Sequence, residues 1–283
     1  MIGQTSKLRD LKAISPWQRL LVLTMATFTI APFAPLIIQS LAFRWAWPNI
    51  LPTVWWHEQR ERSPFPLAWD YVFSPSSRVG EATLNTLGIG IAVTLLCLLI
   101  CLPAARVLAQ RNFRGKNQLE FLIALPLLLP EAAIGIALLM IFIALGLAGT
   151  YAGVIVVHLI PTIPYMVRML TAVYQGHGTD AEDHARVLGA NRRQIFFRVT
   201  LPMILPGVIA GCLFTFLVST NLFLLTFFIG QGQIITLPTL LFAKISGGAL
   251  DATGAGIALI ASIPGIILLI FTDRFIRNYP LAE

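Results

Sequence analysis

Charge is scarce in this chain. Asp, Glu, Lys and Arg make up 12% of the 283 residues, against 57% for the hydrophobic types, where a soluble domain carries roughly a quarter charged. Together with a mean hydropathy of +0.78, that excludes an ordinary water-soluble domain and leaves a polytopic membrane protein. Cysteine is scarce too. Cys97, Cys101 and Cys212 all lie in apolar runs, and the first two, one helical turn apart, read as small buried hydrophobes rather than a disulfide framework or a metal site. His57, His158, His177 and His184 do not pair at metal-ligand spacing. A phosphate loop is missing: Gly115-Lys116 is followed by Asn117 without the upstream glycine, and Gly88-Ile89-Gly90 sits inside an apolar run. Neither a Gly-x-Ser-x-Gly elbow nor a paired acidic motif for prenyl chemistry occurs. The chain therefore reads as a non-enzyme, with no catalytic residue, metal or cofactor of its own. Any work drawn from ATP must come from another polypeptide.

What is present is a series of apolar runs, each judged against the roughly 20 residues that cross a bilayer. Residues 1–18 are a short polar tail with Lys7, Arg9 and Lys12. A first crossing is read over 19–43, and its run lacks the small-residue cleavage pattern of a signal peptide. Residues 44–81 form the longest hydrophilic connection and hold Trp45, Trp47, Trp55, Trp56, Trp69 and Tyr71. Aromatics at this density suit the headgroup region or a docking surface. Residues 82–275 are read as five further crossings. The first of these is uncharged from Ala82 to Ala105 and is followed by a basic turn, Arg106 to Lys116. After Glu131 no charged residue occurs before Arg168, a gap of 36. That exceeds one crossing, so Gly146-Leu147-Ala148-Gly149 divides a third span, Leu119 to about Leu145, from a fourth, about Tyr151 to Tyr174. Another 45 uncharged residues between Arg198 and Lys244 hold a fifth span, ending near Ile229 before the turn Gly230-Gln231-Gly232-Gln233. The sixth lies between Asp251 and Asp273, and 276–283 is a tail.

The expected fold is all-α, with six transmembrane helices and both termini on one side. Of the Lys and Arg residues, fifteen fall on the side of the two tails, the Arg106–Lys116 turn and the Arg168–Arg198 region, and five on the other. The richer side is cytoplasmic by the positive-inside rule. The net charge of +7 thus reflects membrane topology and gives no sign of a nucleic-acid partner.

The polar stretch Asp180–Pro202, DAEDHARVLGANRRQIFFRVTLP, lies between two apolar runs on that cytoplasmic side. Its chemistry suits a short helix with Asp180 as N-cap and Glu182 and Asp183 in the first turn. Gly189 would stop that helix. Asn191 would cap a second one presenting Arg192, Arg193 and Arg198 among Ile195, Phe196 and Phe197, and Leu201-Pro202 would end it. The order Asp183-His184-Ala185, three residues, Gly189, nine residues, Val199-Thr200-Leu201-Pro202 resembles the EAA loop of ABC importer permeases. In that family the pattern is Glu-Ala-Ala, three residues, Gly, nine residues, Ile, one residue, Leu-Pro. Asp183, His184 and Val199 depart from it in letter but not in spacing.

The resemblance, nearest to the polyamine and aminophosphonate permeases, implies a type I ABC importer permease fold over 82–275 with the first span as a peripheral arm. The loop 180–202 would be the coupling element, with Asp183, His184, Ala185, Gly189, Ala190, Arg192, Arg193, Leu201 and Pro202 meeting a separate ATPase that uses the ATP. A second permease chain, identical or related, a periplasmic solute-binding protein and membrane lipid are the other implied partners, in a bacterial inner membrane. An ion-gradient-driven carrier and an unrecognised membrane enzyme are the alternatives.

Three polar residues inside the spans are candidates for the solute path. Glu131 falls about twelve residues into the third span, some 18 Å along a straight helix. An acid there costs on the order of 3 kcal/mol on insertion scales and usually faces a cavity. It reads equally as a contact for an amine-bearing solute and as a structural hydrogen bond, and in polyamine-type permeases an acid follows a proline at a similar place. Asn221 stands where those relatives tend to carry acids after a Ser, which puts polyamine specificity in doubt. His158 reads first as an interhelical donor. Arg168 near the cytoplasmic end snorkels, and Gly207-x-x-x-Gly211 permits close helix approach.

Overall fold

The computed structural model describes residues 15–45, 48–248 and 251–278. Residues 1–14 of the N-terminal tail, Trp47, residues 279–283 of the C-terminal tail, and the side chains of Asp273, Arg274 and Arg277 lie outside what is described. The chain divides into two compact units, Met1–Ser74 with Ala249–Leu259, and Pro75–Gly248 with Ile260–Glu283.

In the first unit, Pro16 opens helix α1 (Pro16–Ile30), and the Gln18 side chain accepts from the Ser15 N–H at 2.9 Å. No residue of α1 is buried. Pro32, which lacks an N–H, separates α1 from α2 (Phe33–Leu41). The tryptophan-rich connection is not bare loop. Strand β1 (Ala42–Arg44) pairs antiparallel with β2 (Val54–Trp55), a short exception to an otherwise helical chain. Helices α3 (Trp56–Arg60) and α4 (Ala68–Val72) follow. Trp56 Nε1 donates to the Leu67 carbonyl at 3.1 Å, and Arg60 bridges Asp70 at 3.2 Å while lying over the Trp56 ring. These aromatics are thus partly spent on folding their own segment.

The second unit begins with α5 (Val79–Gln110), 32 residues or about 48 Å. It runs past the apolar stretch at both ends and takes in Arg106, which the sequence places in the following turn. The helix ends where Arg111 becomes extended, and Gly115, at φ +91°, turns the chain into α6 (Lys116–Ala124). The third crossing is not one straight helix. Helix α6 and a 3₁₀ turn (Leu125–Leu127) are followed, across a 98° bend, by α7 (Glu131–Ala144). Pro126 and Pro130 permit the bend: each removes an N–H, and the residue before a proline is disfavoured in the α region. Glu131 is therefore the first residue of a half-helix, and its depth along a straight helix no longer applies.

Helix α8 (Tyr151–His177) starts from Thr150, whose side chain accepts from the Gly153 N–H. Then come α9 (Asp180–Val187), α10 (Arg192–Ile195), a π turn (Phe196–Thr200) and α11 (Leu201–Asn221). The expected fifth span to Ile229 is also broken, because α11 stops at Asn221 and α12 (Phe223–Gly230) begins anew. Gln231 and Gly232, both at positive φ, turn the chain after it. Helix α13 (Leu237–Ser246) has no counterpart in the sequence reading, and α14 (Ala252–Asn278) opens with Asp251 Oδ1 accepting from the Gly254 N–H. Among the described residues four helices are long and apolar enough to cross a membrane (Pro16–Leu41, Val79–Gln110, Tyr151–His177 and Arg192–Asn221), and α6 with α7 makes a fifth if counted as one crossing. A shorter apolar stretch, Ala252–Leu268, lies in α14.

The core of this unit is built by α5, α8, α11 and α12. Cys97, Cys101, Met166, Leu170 and Ile204 form one buried cluster, and Ile89, Val93, Val157, Leu225 and Ile229 form another. All three cysteines are free, with Cys97 and Cys101 buried. Helices α8 and α11 approach closely because Gly207 and Gly211 face Val173 and Met166. A Cβ on Gly207 would stand 2.4 Å from Val173 Cγ2, and one on Gly211 would stand 2.6 Å from Met166 Sδ. Replacing Gly207 with Leu is expected to cost about 3 kcal/mol or more and to lower the yield and thermal midpoint of the solubilised protein, read by fluorescence-detected gel filtration. An unchanged midpoint would remove this contact from the packing account.

Candidate functional site

The polar stretch folds from local chemistry. Thr179, not Asp180, is the N-cap residue of α9, and Asp180, Glu182 and Asp183 fill its first turn, where acids oppose the helix dipole. The far end is a Schellman motif. Gly189 at φ +82° donates to the Arg186 carbonyl at 2.9 Å, and Ala190 donates to the Ala185 carbonyl at 3.0 Å. Asn191 Oδ1 then accepts from the Gln194 N–H at 2.9 Å while Gln194 Oε1 accepts from the Asn191 N–H, a capping box that starts α10.

Leu201-Pro202 does not end that helix. The chain from Arg192 to Asn221 is helical throughout, 30 residues, with the π turn bonding the Leu201 N–H to the Phe196 carbonyl. An i→i+5 turn widens the helix just where Pro202 would otherwise crowd the carbonyl four residues earlier. Leu201 keeps αR geometry before the proline.

Among the residues singled out from the sequence, Asp183 and His184 are exposed, Ala185, Ala190 and Leu201 are half-buried, and Gly189, Arg192, Arg193 and Pro202 face outward. Asp183 pairs with Arg186 on its own helix. Val187 and Leu188, at 87% and 86% exposed, and Phe197, at 63%, add an apolar patch beside these cations. Glu182 is the residue sequence reasoning missed. It is 5% exposed, its Oε1 accepts from Thr200 Oγ1 at 2.6 Å, and its Oε2 pairs with Arg106 at the end of α5.

Glu131, His158 and Asn221 converge on one feature, the break between α11 and α12. Glu131 Oε1 accepts from the Leu225 N–H at 3.1 Å, so the carboxylate caps the first turn of α12 while lying in the first turn of its own α7. Two positive helix ends therefore meet at one acid. His158, 1% exposed, contacts Ser219 Oγ at 3.0 Å through Nδ1 and Thr226 Oγ1 at 2.8 Å through Nε2, one residue on each side of the break. Thr226 already donates to the Leu222 carbonyl. It therefore accepts from an Nε2–H tautomer, which leaves Nδ1 to accept from Ser219. Asn221, exposed, donates to the Leu217 carbonyl at 2.8 Å and is the last residue of α11. For Glu131 and His158 a structural bond is thus directly visible. Replacing His158 with Leu is expected to cost about 1–2 kcal/mol through the two interhelical bonds, lowering the thermal midpoint. No change would mean that the break holds without the imidazole.

Residues 98–279 match the family described as binding-protein-dependent transport system inner membrane component. The chain belongs to this family. Over 188 residues the permease is 37% identical to the molybdenum transport system permease protein ModB of Mycobacterium tuberculosis, covering 62% of this chain and 70% of the relative. Over 264 residues it is 27% identical to the putrescine transport system permease protein PotI of Escherichia coli, covering 89% and 88%. Its fold is shared with a bacterial ABC transporter involved in the import of the acidic polysaccharide alginate, at a TM-score of 0.70 and 16% identity over 97% of this chain and 99% of that one. The MetNI methionine ABC transporter gives a TM-score of 0.58 at 17% identity over 73% of the permease and 99% of that chain. The permease is thus a type I ABC importer subunit and not an enzyme, and it works with ATPase and binding-protein partners. The solutes named for its relatives differ, so polyamine specificity does not follow from likeness.

Proposed function

We propose that this permease forms half of a translocation pore, paired with an identical or related permease chain. Its α9–α10 elbow docks on a separate ATPase in the cytoplasm of a bacterial cell, where both termini also lie. The observation that carries this reading is the elbow itself: α9, closed by the turn at Gly189, meets the capped start of the Arg192–Asn221 helix and exposes Val187, Leu188 and Phe197 beside Arg192 and Arg193. Transport proceeds by alternating access. ATP-driven closure of two ATPases draws the paired elbows together and opens the pore outward, where a periplasmic binding protein delivers the solute. Membrane lipid surrounds the α1–α2 arm. The test is ATP-dependent uptake in proteoliposomes holding the full set of subunits. Uptake by the permease alone under an ion gradient would refute the proposal.

The proposed solute is small and carries one amine, met by Glu131. That carboxylate is only partly buried, and its Oε1 accepts from the Leu225 N–H. Asn221 supplies a neutral amide where a doubly charged polyamine would need a second acid. A second reading, a small oxyanion, is favoured by the 37% identity to a molybdenum permease. It is also favoured by the two half-helix N-termini at Glu131, since such ends hold anionic groups in transporters. Competition of labelled uptake by a primary amine and by molybdate separates the two.

A further inference from the structure

Helix α9 hangs between two glycine joints. Gly178 has φ +62° and Gly189 φ +82°, so neither end of the eight-residue helix Asp180–Val187 runs straight into the helix beside it. A pivoting helix would absorb a push instead of passing it on. Glu182 is the one buried residue of α9, and its carboxylate reaches two other elements. Oε1 accepts from Thr200 Oγ1, at 2.6 Å, in the π turn at the base of α11. Oε2 takes the guanidinium of Arg106, near the end of α5, with Arg186 Nη2 at 3.8 Å. Arg106 is steadied in turn by its Nε, which donates to Gln110 Oε1 at 3.1 Å.

We propose that Glu182, with Arg106 and Thr200, is a strut that carries the displacement of α9 into α5 and α11. This rests on the reading above, in which α9 receives the stroke of the ATPase. The pair resists separation because the buried Glu182 carboxylate, left without Arg106, would be an unpaired charge in a low-dielectric surrounding. Asp183, which stands at the acid position of the family motif, cannot take this part. It is exposed and pairs with Arg186 three residues along the same helix, so it ties α9 only to itself. Glu182 is accordingly a positioning residue, acting through Arg106 on α5 and through Thr200 on the base of α11.

The experiment measures solute moved per ATP hydrolysed by the complete transporter in proteoliposomes. Glu182→Gln and Arg106→Gln are each expected to leave hydrolysis within about twofold of the parent while the transport ratio falls about tenfold. Thr200→Val, which keeps the charge pair, is expected to lower the ratio by about threefold. The exchange of charges, Arg106→Glu with Glu182→Arg, should recover part of the ratio that either change alone loses. An unchanged ratio in both single variants overturns the strut, as does a loss of hydrolysis and transport in equal proportion. Should the charge variants fail to assemble, Thr200→Val decides: a lowered ratio supports the strut and an unchanged one overturns it. Photocrosslinking of the parent from Val187 tells the two failures apart. A crosslink to the ATPase with unchanged ratios sinks the strut alone, and no crosslink sinks the docking itself.

Discussion

Replacing Gly189 with Val is expected to abolish most ATP-driven uptake while the permease still inserts and assembles. The glycine holds φ +82° with open space where a Cβ would point, so the penalty is conformational and not a clash. A β-branched residue in left-handed geometry costs about 1–2 kcal/mol or more. The chain can escape that strain by abandoning the Schellman bond from Ala190 to Ala185 and re-aiming α10 relative to α9. A shift of about 2 kcal/mol against the docking geometry corresponds to roughly a thirtyfold loss in coupled uptake. Asn tolerates the left-handed region, so Gly189→Asn should keep a large part of the activity. Uptake measured beside membrane insertion checks both; full activity in the Val variant would mean that the angle of the elbow does not matter.

The second large effect is expected at Glu131. Changing it to Leu leaves the buried end of α12 without the acceptor for the Leu225 N–H, at a cost of about 1–3 kcal/mol, so thermal midpoint and uptake should fall together. Glu131→Gln keeps an acceptor oxygen and should fold nearly as well as the parent. Uptake then reports on the solute. An amine substrate loses its counter-charge and its uptake should drop about tenfold, whereas an oxyanion gains from the removal of a like charge. A Gln variant as unstable as the Leu variant would return Glu131 to a purely structural part, its charge included.

What was legible in the sequence was mainly what is local. The turn at Gly189 and the cap at Asn191 are decided within three or four residues, so side-chain type and spacing are enough to place them. The apolar runs fixed how much of the chain is helical, because length and hydropathy need no knowledge of partners. Interruptions inside those runs were harder. Pro126 and Pro130 are visible, yet proline inside a helix permits anything from slight widening to a full break, and only packing of α7 on α12 decides for the 98° bend. The break at Asn221–Leu222 carries no Pro or Gly at all. It is held by Glu131 and His158 from elsewhere in the chain, as is the start of α13, where the Leu237 N–H bonds Thr86 Oγ1 at 2.8 Å. Pro202 differs in the opposite sense: its type and place predict a stop, and a π turn absorbs it. Glu182 was overlooked since the motif draws the eye to Asp183, and its partner Arg106 lies 76 positions away, beyond the reach of any periodicity.

Photocrosslinking from the elbow, in cells importing solute, bears most directly on the central claim. A photoreactive residue at Val187, Leu188 or Arg193 is expected to capture a separate ATP-hydrolysing subunit, and one at Phe28, on the exposed face of α1, is expected to capture none. If the three elbow positions yield no such adduct while import proceeds, the account of how this permease is driven is wrong.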